Sequence, residues 1–154
     1  MATTPLLEES IDVRYPLFIT ASLLAATAVR ADGLDGDRKA IQGTWTIMSA
    51  EMRAEKKADL VGGTFTFAGD RVTIRVKGKA AATEGAFKLD PEAKPKRLDI
   101  TPTGKEKPLL GIYMLDGDTL TVCMADKPEE DRPAKFETKA ERKVALLVLK
   151  RAKP

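Results

Sequence analysis

LLGIYMLDGDTLTVCM, residues 109–124, is two alternating apolar runs joined at Asp116-Gly117-Asp118. Leu110, Ile112 and Met114 share one face of the first run, and Leu120, Val122 and Met124 share one face of the second. A period of two is that of strands with one face buried, so both sets are expected to point into a common core. Gly117 supplies the positive φ of a tight hairpin turn, and the flanking aspartates favour such turns by bonding to nearby backbone. A hairpin alone is marginal in water, so other strands must cover its apolar face.

The rest of the chain provides them. Residues 64–68 and 71–76 alternate about a Gly69-Asp70 turn, with Phe65 and Phe67 sharing a face in one and Val72, Ile74 and Val76 in the other. Residues 44–50 (TWTIMSA) put Trp45 and Ile47 on one face, residues 82–89 put Phe87 and Leu89 inward, and residues 97–101 carry Leu98 and Ile100 on one side. Residues 144–149 (VALLVL) are apolar enough to be covered on both faces or to lie at a closure seam. Residues 35–42 suit one or two helical turns before Gly43, and the charged stretch 51–60 reads as a loop with room for a short helix. Eight short strands with regular turn signals and no long helix define an all-β chain, either a closed or nearly closed antiparallel barrel or a sandwich. Closure has the advantage of removing exposed strand edges.

At 154 residues the chain is most simply one folded domain, large enough to bury a core without staples. It contains no histidine and a single cysteine, Cys123, so a His/Cys zinc cluster, an internal disulfide and a Ser-His or Cys-His nucleophile are excluded. The pI near 9.0 comes from lysines spread along the chain, with a net charge of only +3 and no groove-reading motif, which argues against nucleic acid as a partner. Asp116 and Asp118 lack the further oxygen ligands at fixed spacing that a calcium loop needs. No cofactor is indicated.

Residues 16–29 (PLFITASLLAATAV) are an uncharged, mostly apolar run, short for a membrane span and suited to the core of an export signal. Cleavage after Ala31 would make residues 1–31 a signal peptide and residues 32–154 the barrel domain, exported to the periplasm or secreted, with no membrane span retained. Glu8, Glu9 and Asp12 outnumber Arg14 where such a signal is normally basic, which is resolved if translation starts at Val13. The competing reading of the run is a buried N-terminal helix. In an oxidising compartment a solitary thiol is best buried, and Cys123 falls on the face opposite Leu120 and Met124.

Gly43-Thr44-Trp45 resembles the Gly-x-Trp signature of the lipocalin superfamily, whose tryptophan plugs one end of an eight-stranded barrel beneath a basic residue of the last strand. That resemblance implies the same part for Lys150 or Arg151. More closely, residues 38–151 resemble a family of small lipocalin-like domains abundant in planctomycete bacteria. The match lies in Gln42-Gly43-Thr44-Trp45, Phe67-Ala68-Gly69-Asp70, Leu98-Asp99-Ile100-Thr101-Pro102, the Gly111 to Leu120 segment, Cys123 and Arg132-Pro133. It implies an eight-stranded antiparallel lipocalin-like barrel and carries no activity with it.

An eight-stranded barrel is either filled by its own side chains or holds one small molecule. The residues expected to face that interior are Trp45, Phe65, Phe67, Phe87, Ile112, Met114, Leu120 and Val122. Charged, Pro-containing loops at 94–97, 104–108 and 126–133 are the expected places for a partner protein at the rim. The reading is therefore an exported, non-enzymatic binding module for a small apolar molecule or a partner protein. The alternatives are a structural envelope domain without ligand and a barrel isomerase or hydrolase using Tyr113 with Glu84 or Asp99; no residue is assigned as catalytic.

Overall fold

A computed structural model of the chain describes residues 35–153. The segment assigned to export, 1–31, lies outside the described residues. Residues 35–40 are helical. The strands are β1 (Gly43–Met52), β2 (Glu55–Lys56), β3 (Thr64–Ala68), β4 (Arg71–Arg75), β5 (Thr83–Asp90), β6 (Arg97–Pro102), β7 (Leu109–Asp116), β8 (Thr119–Ala125) and β9 (Val144–Arg151), with a 3₁₀ turn at Ala58–Leu60. From β3 onward each strand pairs antiparallel with the next, and β1 pairs with both β3 and β9. The sheet is thus a closed eight-stranded antiparallel barrel, with the two-residue β2 as an extra strand on β1. The eight strands read from the sequence are all present. The charged stretch after β1 forms β2 and the 3₁₀ turn.

Alternating strand direction sorts the turns into two ends. At one end lie the start of β1, the 69–70 and 117–118 turns, residues 91–96 and the end of β9; at the other lie the 53–63 connection, the 76–82 and 103–108 turns and the base of residues 126–143. The helical residues 35–40 sit across the first end, where Gln42 holds the 69–70 turn through bonds from Gly69 N–H to Oε1 (2.7 Å) and from Nε2 to the Gly69 carbonyl (3.0 Å).

The interior is one packed cluster. Trp45, Ile47, Phe65, Phe67, Val72, Phe87, Leu98, Ile100, Tyr113, Leu120, Val122, Leu147 and Leu149 are buried against one another. Phe87 meets Phe67 edge-on with ring centres 5.0 Å apart, an arrangement that suits the ring quadrupoles. At about 1.5–3 kcal/mol for each large apolar side chain removed from water, this cluster is the main source of stability. Along β1 the register slips between Ile47 and Ser49, so Trp45, Ile47 and Ala50 all point inward while Met48 is left outside, 53% exposed. A β-bulge of this kind adds a residue to one strand and so reverses its alternation.

The opening hairpin needs a correction. Ile112 and Met114 do not face the interior. The Gly117-Asp118 turn leaves Asp116 opposite Thr119, which sets Ile112 against Cys123 and Tyr113 against Val122. Since Leu120 and Val122 look inward, Tyr113 and Leu115 do as well, and Leu110, Ile112 and Met114 look out. Ile112 is nevertheless buried, in a second cluster on the outer wall with Cys123 and Val144, against which Phe136 and Leu146 pack.

Candidate functional site

Of the residues expected to line the interior, Trp45, Phe65, Phe67, Phe87, Leu120 and Val122 do so, as members of the packed cluster. They pack against one another and against Tyr113. Binding capacity is better sought at three features outside that cluster: the plugged end, the outer-wall strap and the rim cleft between them.

The plug is built from both chain ends. The Trp45 indole N–H donates to the Ile41 carbonyl (2.8 Å), so the fully buried ring keeps its one polar atom satisfied. The Arg151 guanidinium lies 4.3 Å from the ring centre, and Arg151 rather than Lys150 fills the part implied by the resemblance. Its nitrogens also donate to the Gln42 carbonyl (2.8 Å), the Ala40 carbonyl (2.5 Å) and Asp118 Oδ1 (3.1 Å). Gly43, at φ 108, brings its backbone close enough that a Cβ there would stand 3.4 Å from Arg151 Nη1. These contacts close the barrel end and commit three of the guanidinium's five N–H donors to the protein.

Next to the plug, the Tyr113 hydroxyl donates to Asp37 Oδ2 (2.5 Å), and Lys96 Nζ donates to the same oxygen (2.7 Å). Burial, then donation to the Asp37 carboxylate, holds the phenol well above its ordinary value of 10.0. A phenol 1% exposed and fixed in its neutral form is a latch between the helical segment and the barrel wall. The acid/base pair considered for Tyr113 is not formed. Asp99 is on the outer wall, and Glu84 is an exposed residue of β5.

Residues 126–143 form a strap over that outer wall. The Asp126 N–H to Lys143 carbonyl bond (2.7 Å) closes its base. Arg132 grips Asp99 with two nitrogens (2.5 and 3.0 Å) and donates to the Gly111 carbonyl (2.7 Å). Thr138 bonds Glu51 and accepts from the Ala54 N–H (3.1 Å). Between these anchors Phe136 packs on the cluster containing Cys123, whose thiol donates to the Glu137 carbonyl (3.7 Å). Burial raises the Cys123 pKa, so the thiol is held in its unreactive protonated form.

Where the strap reaches the plugged end, a cleft of about 310 Å³ opens between Pro91, Ala93, Pro95, Met114, Leu115 and Phe136, with Lys94 and Lys96 at its edge and Tyr113 beneath. Met114 is 52% exposed there. Among the described residues no group of three or more His, Cys, Asp or Glu is placed to hold a metal ion. Comparison with protein-family models, with curated proteins and with solved structures returns no match.

The sequence reading missed Asp37, Gln42 and the Arg132–Asp99 pair. Asp37 left no signal, whereas Gln42, Asp99 and Arg132 all stand in the motifs that carry the resemblance. Those motifs meet in space: Gln42 with Gly69, and Asp99 with Arg132.

Proposed function

We propose that this is a non-enzymatic binding domain whose packed barrel is a scaffold and whose ligand site is the rim cleft around Met114, the ligand being an apolar side chain of a partner protein or a small apolar molecule. The observation that carries this reading is the contrast between the two sides of β7. Tyr113 faces the packed core, while Met114 faces solvent in an apolar cleft. Exposed apolar surface collected in a concave site marks binding more often than chance exposure. The position of Met114 explains its presence as a ligand contact better than its expected place inside the barrel. Membership of the lipocalin-like family rests on the sequence motifs and is part of this proposal. Export rests on residues 16–29 alone, and an intact mass of the native protein lacking residues 1–31 is its expected signature.

The site is tested by titrating the native protein with the apolar probe anilinonaphthalenesulfonate. Met114→Asp should abolish saturable binding, and the space-making interior change Phe87→Leu should leave it intact. Binding that survives Met114→Asp and responds to Phe87→Leu would move the site into the barrel and overturn the proposal.

A further inference from the structure

The barrel end remote from the plug carries charge that the domain itself does not use. Arg75, Lys77 and Lys79 on and beside the 76–82 turn, and Lys105 and Lys107 on the 103–108 turn, are all exposed, with Glu106 among them, Glu84 at their base and Glu55 and Asp59 on the adjoining 53–63 connection as the nearby exposed acids. None of the five forms an ion pair with a described residue. The plugged end has both kinds: Lys96 is held by Asp37 and Arg151 by Asp118, while Lys39 and Lys153 are exposed and pair with no described residue, but they are not gathered on adjacent turns. The two turns are neighbours because β5 pairs with β6, and the Thr103 N–H to Glu84 carbonyl bond (2.8 Å) carries that pairing to their base. The stem of Lys77 lies against the 53–63 connection, where a Cβ on Gly62 would stand 3.3 Å from Lys77 Cδ. The adjacent Val61 is 37% exposed.

We propose that this end is a docking surface for a bilayer containing anionic lipids. The charge is complementary to phosphate headgroups, and each lysine held near such a surface adds to attraction that fades within a Debye length. Small residues between the cations, Gly78, Ala80, Ala81 and Gly104, let the backbone approach a plane, and Val61 supplies an apolar tip of the kind that seats between headgroups. The chemistry favours a lipid surface over nucleic acid. Neither turn carries an aromatic side chain on which a base could stack, and among the described residues no α-helix lies at this end to enter a groove. The surface lies at the opposite end from the rim cleft and does not depend on it.

The test is co-sedimentation of the protein with vesicles. Binding is expected to phosphatidylglycerol-containing vesicles and not to pure phosphatidylcholine, and it should weaken as salt is added. The double change Lys77→Glu with Lys105→Glu should weaken it by about a hundredfold or more, given the contribution of each cation near the surface. The same charge change at the plugged end, Lys39→Glu with Lys153→Glu, should have a much smaller effect. All four positions are exposed, so unchanged circular dichroism and thermal melting are expected for both variants. Absence of binding to the anionic vesicles would overturn the proposal. So would equal loss in both variants, which would assign the attraction to net charge, or tighter binding to a double-stranded DNA fragment than to the vesicles at the same salt.

Discussion

Tyr113 shows how one side chain can be misjudged from sequence and then explain much of its surroundings. Placed between Ile112 and Met114 in β7, it reads as a surface or rim group; in the fold it is buried, and its hydroxyl reaches across to Asp37. Tyr113→Phe keeps the ring packing but removes a hydrogen bond to a carboxylate that is itself largely shielded, and should cost about 2 kcal/mol at neutral pH in a denaturant titration. The alkaline limb tests the same contact. A raised pKa in the folded state means that the unfolded chain releases its proton first, so stability is full below the unfolded value and falls as pH climbs past it. The fall should begin near pH 9.0, where the unfolded Cys123 ionises, and steepen above 10.0, where the unfolded Tyr113 does. Tyr113→Phe should retain the first component and lose the second; an unchanged profile would mean that the latch does not hold the phenol neutral.

At the scale of elements, the strap is the part of the chain that has to be explained by something other than propensity. Long connections without regular structure are uncommon in compact domains. This one is ordered by three kinds of contact in sequence: the forked Arg132 grip, the apolar seat of Phe136, and the Thr138 bonds to the β1–β2 hairpin. It converts an outer wall that would expose Ile112 and Cys123 into a second small core. Because the strap sits on the barrel rather than in it, it should open locally without global unfolding. Arg132→Ala, which removes the forked pair and the bond to Gly111, should raise the rate at which a thiol reagent labels Cys123 in the native protein by about tenfold, the equivalent of some 1.4 kcal/mol of local opening. Far-UV circular dichroism should be unchanged. Labelling no faster than in the parent protein would show that Phe136 alone seals the thiol. The pairing of Asp99 with Arg132 also explains why a carboxylate that looked available for chemistry is not.

At the scale of the whole molecule, the barrel is closed by the β1–β9 seam, and Arg151 is the residue that joins the seam to the plug. It stacks on Trp45, satisfies two carbonyls at the helix-to-strand junction and reaches the 117–118 turn. Arg151→Met keeps the side chain's bulk and removes the rest, and should cost about 2 kcal/mol. Since every strand depends on closure, unfolding of the parent and of this variant should be a single transition, with Trp45 fluorescence and far-UV circular dichroism coinciding. A separate, earlier fluorescence change in Arg151→Met would mean that the plug comes loose while the barrel stays closed. The two ends differ in kind. One is knitted by two charge pairs around a buried indole, and the other gathers on two adjacent turns five exposed cations that pair with no described residue.

The sequence by itself determined the all-β class, the eight strands, their turns and the inward face of Trp45, because these follow from local periodicity, from Gly-Asp turn chemistry and from composition; Cys123, on the outer face, is buried only because the strap covers it. The sequence also contained the parity that was misread. A two-residue turn at Gly117-Asp118 pairs Ile112 with Cys123, and so places Ile112 and Leu120 on opposite faces. Both faces of β7 are apolar, however, and hydrophobicity alone does not choose between them. Only the tertiary structure decided that choice, since it depends on what covers each side: the core covers Tyr113, the strap covers Ile112, and nothing described covers Met114. The Asp37–Tyr113 latch and the Arg132–Asp99 grip were likewise decided only in three dimensions, because each joins residues far apart in the chain whose side chains meet only when the barrel has closed.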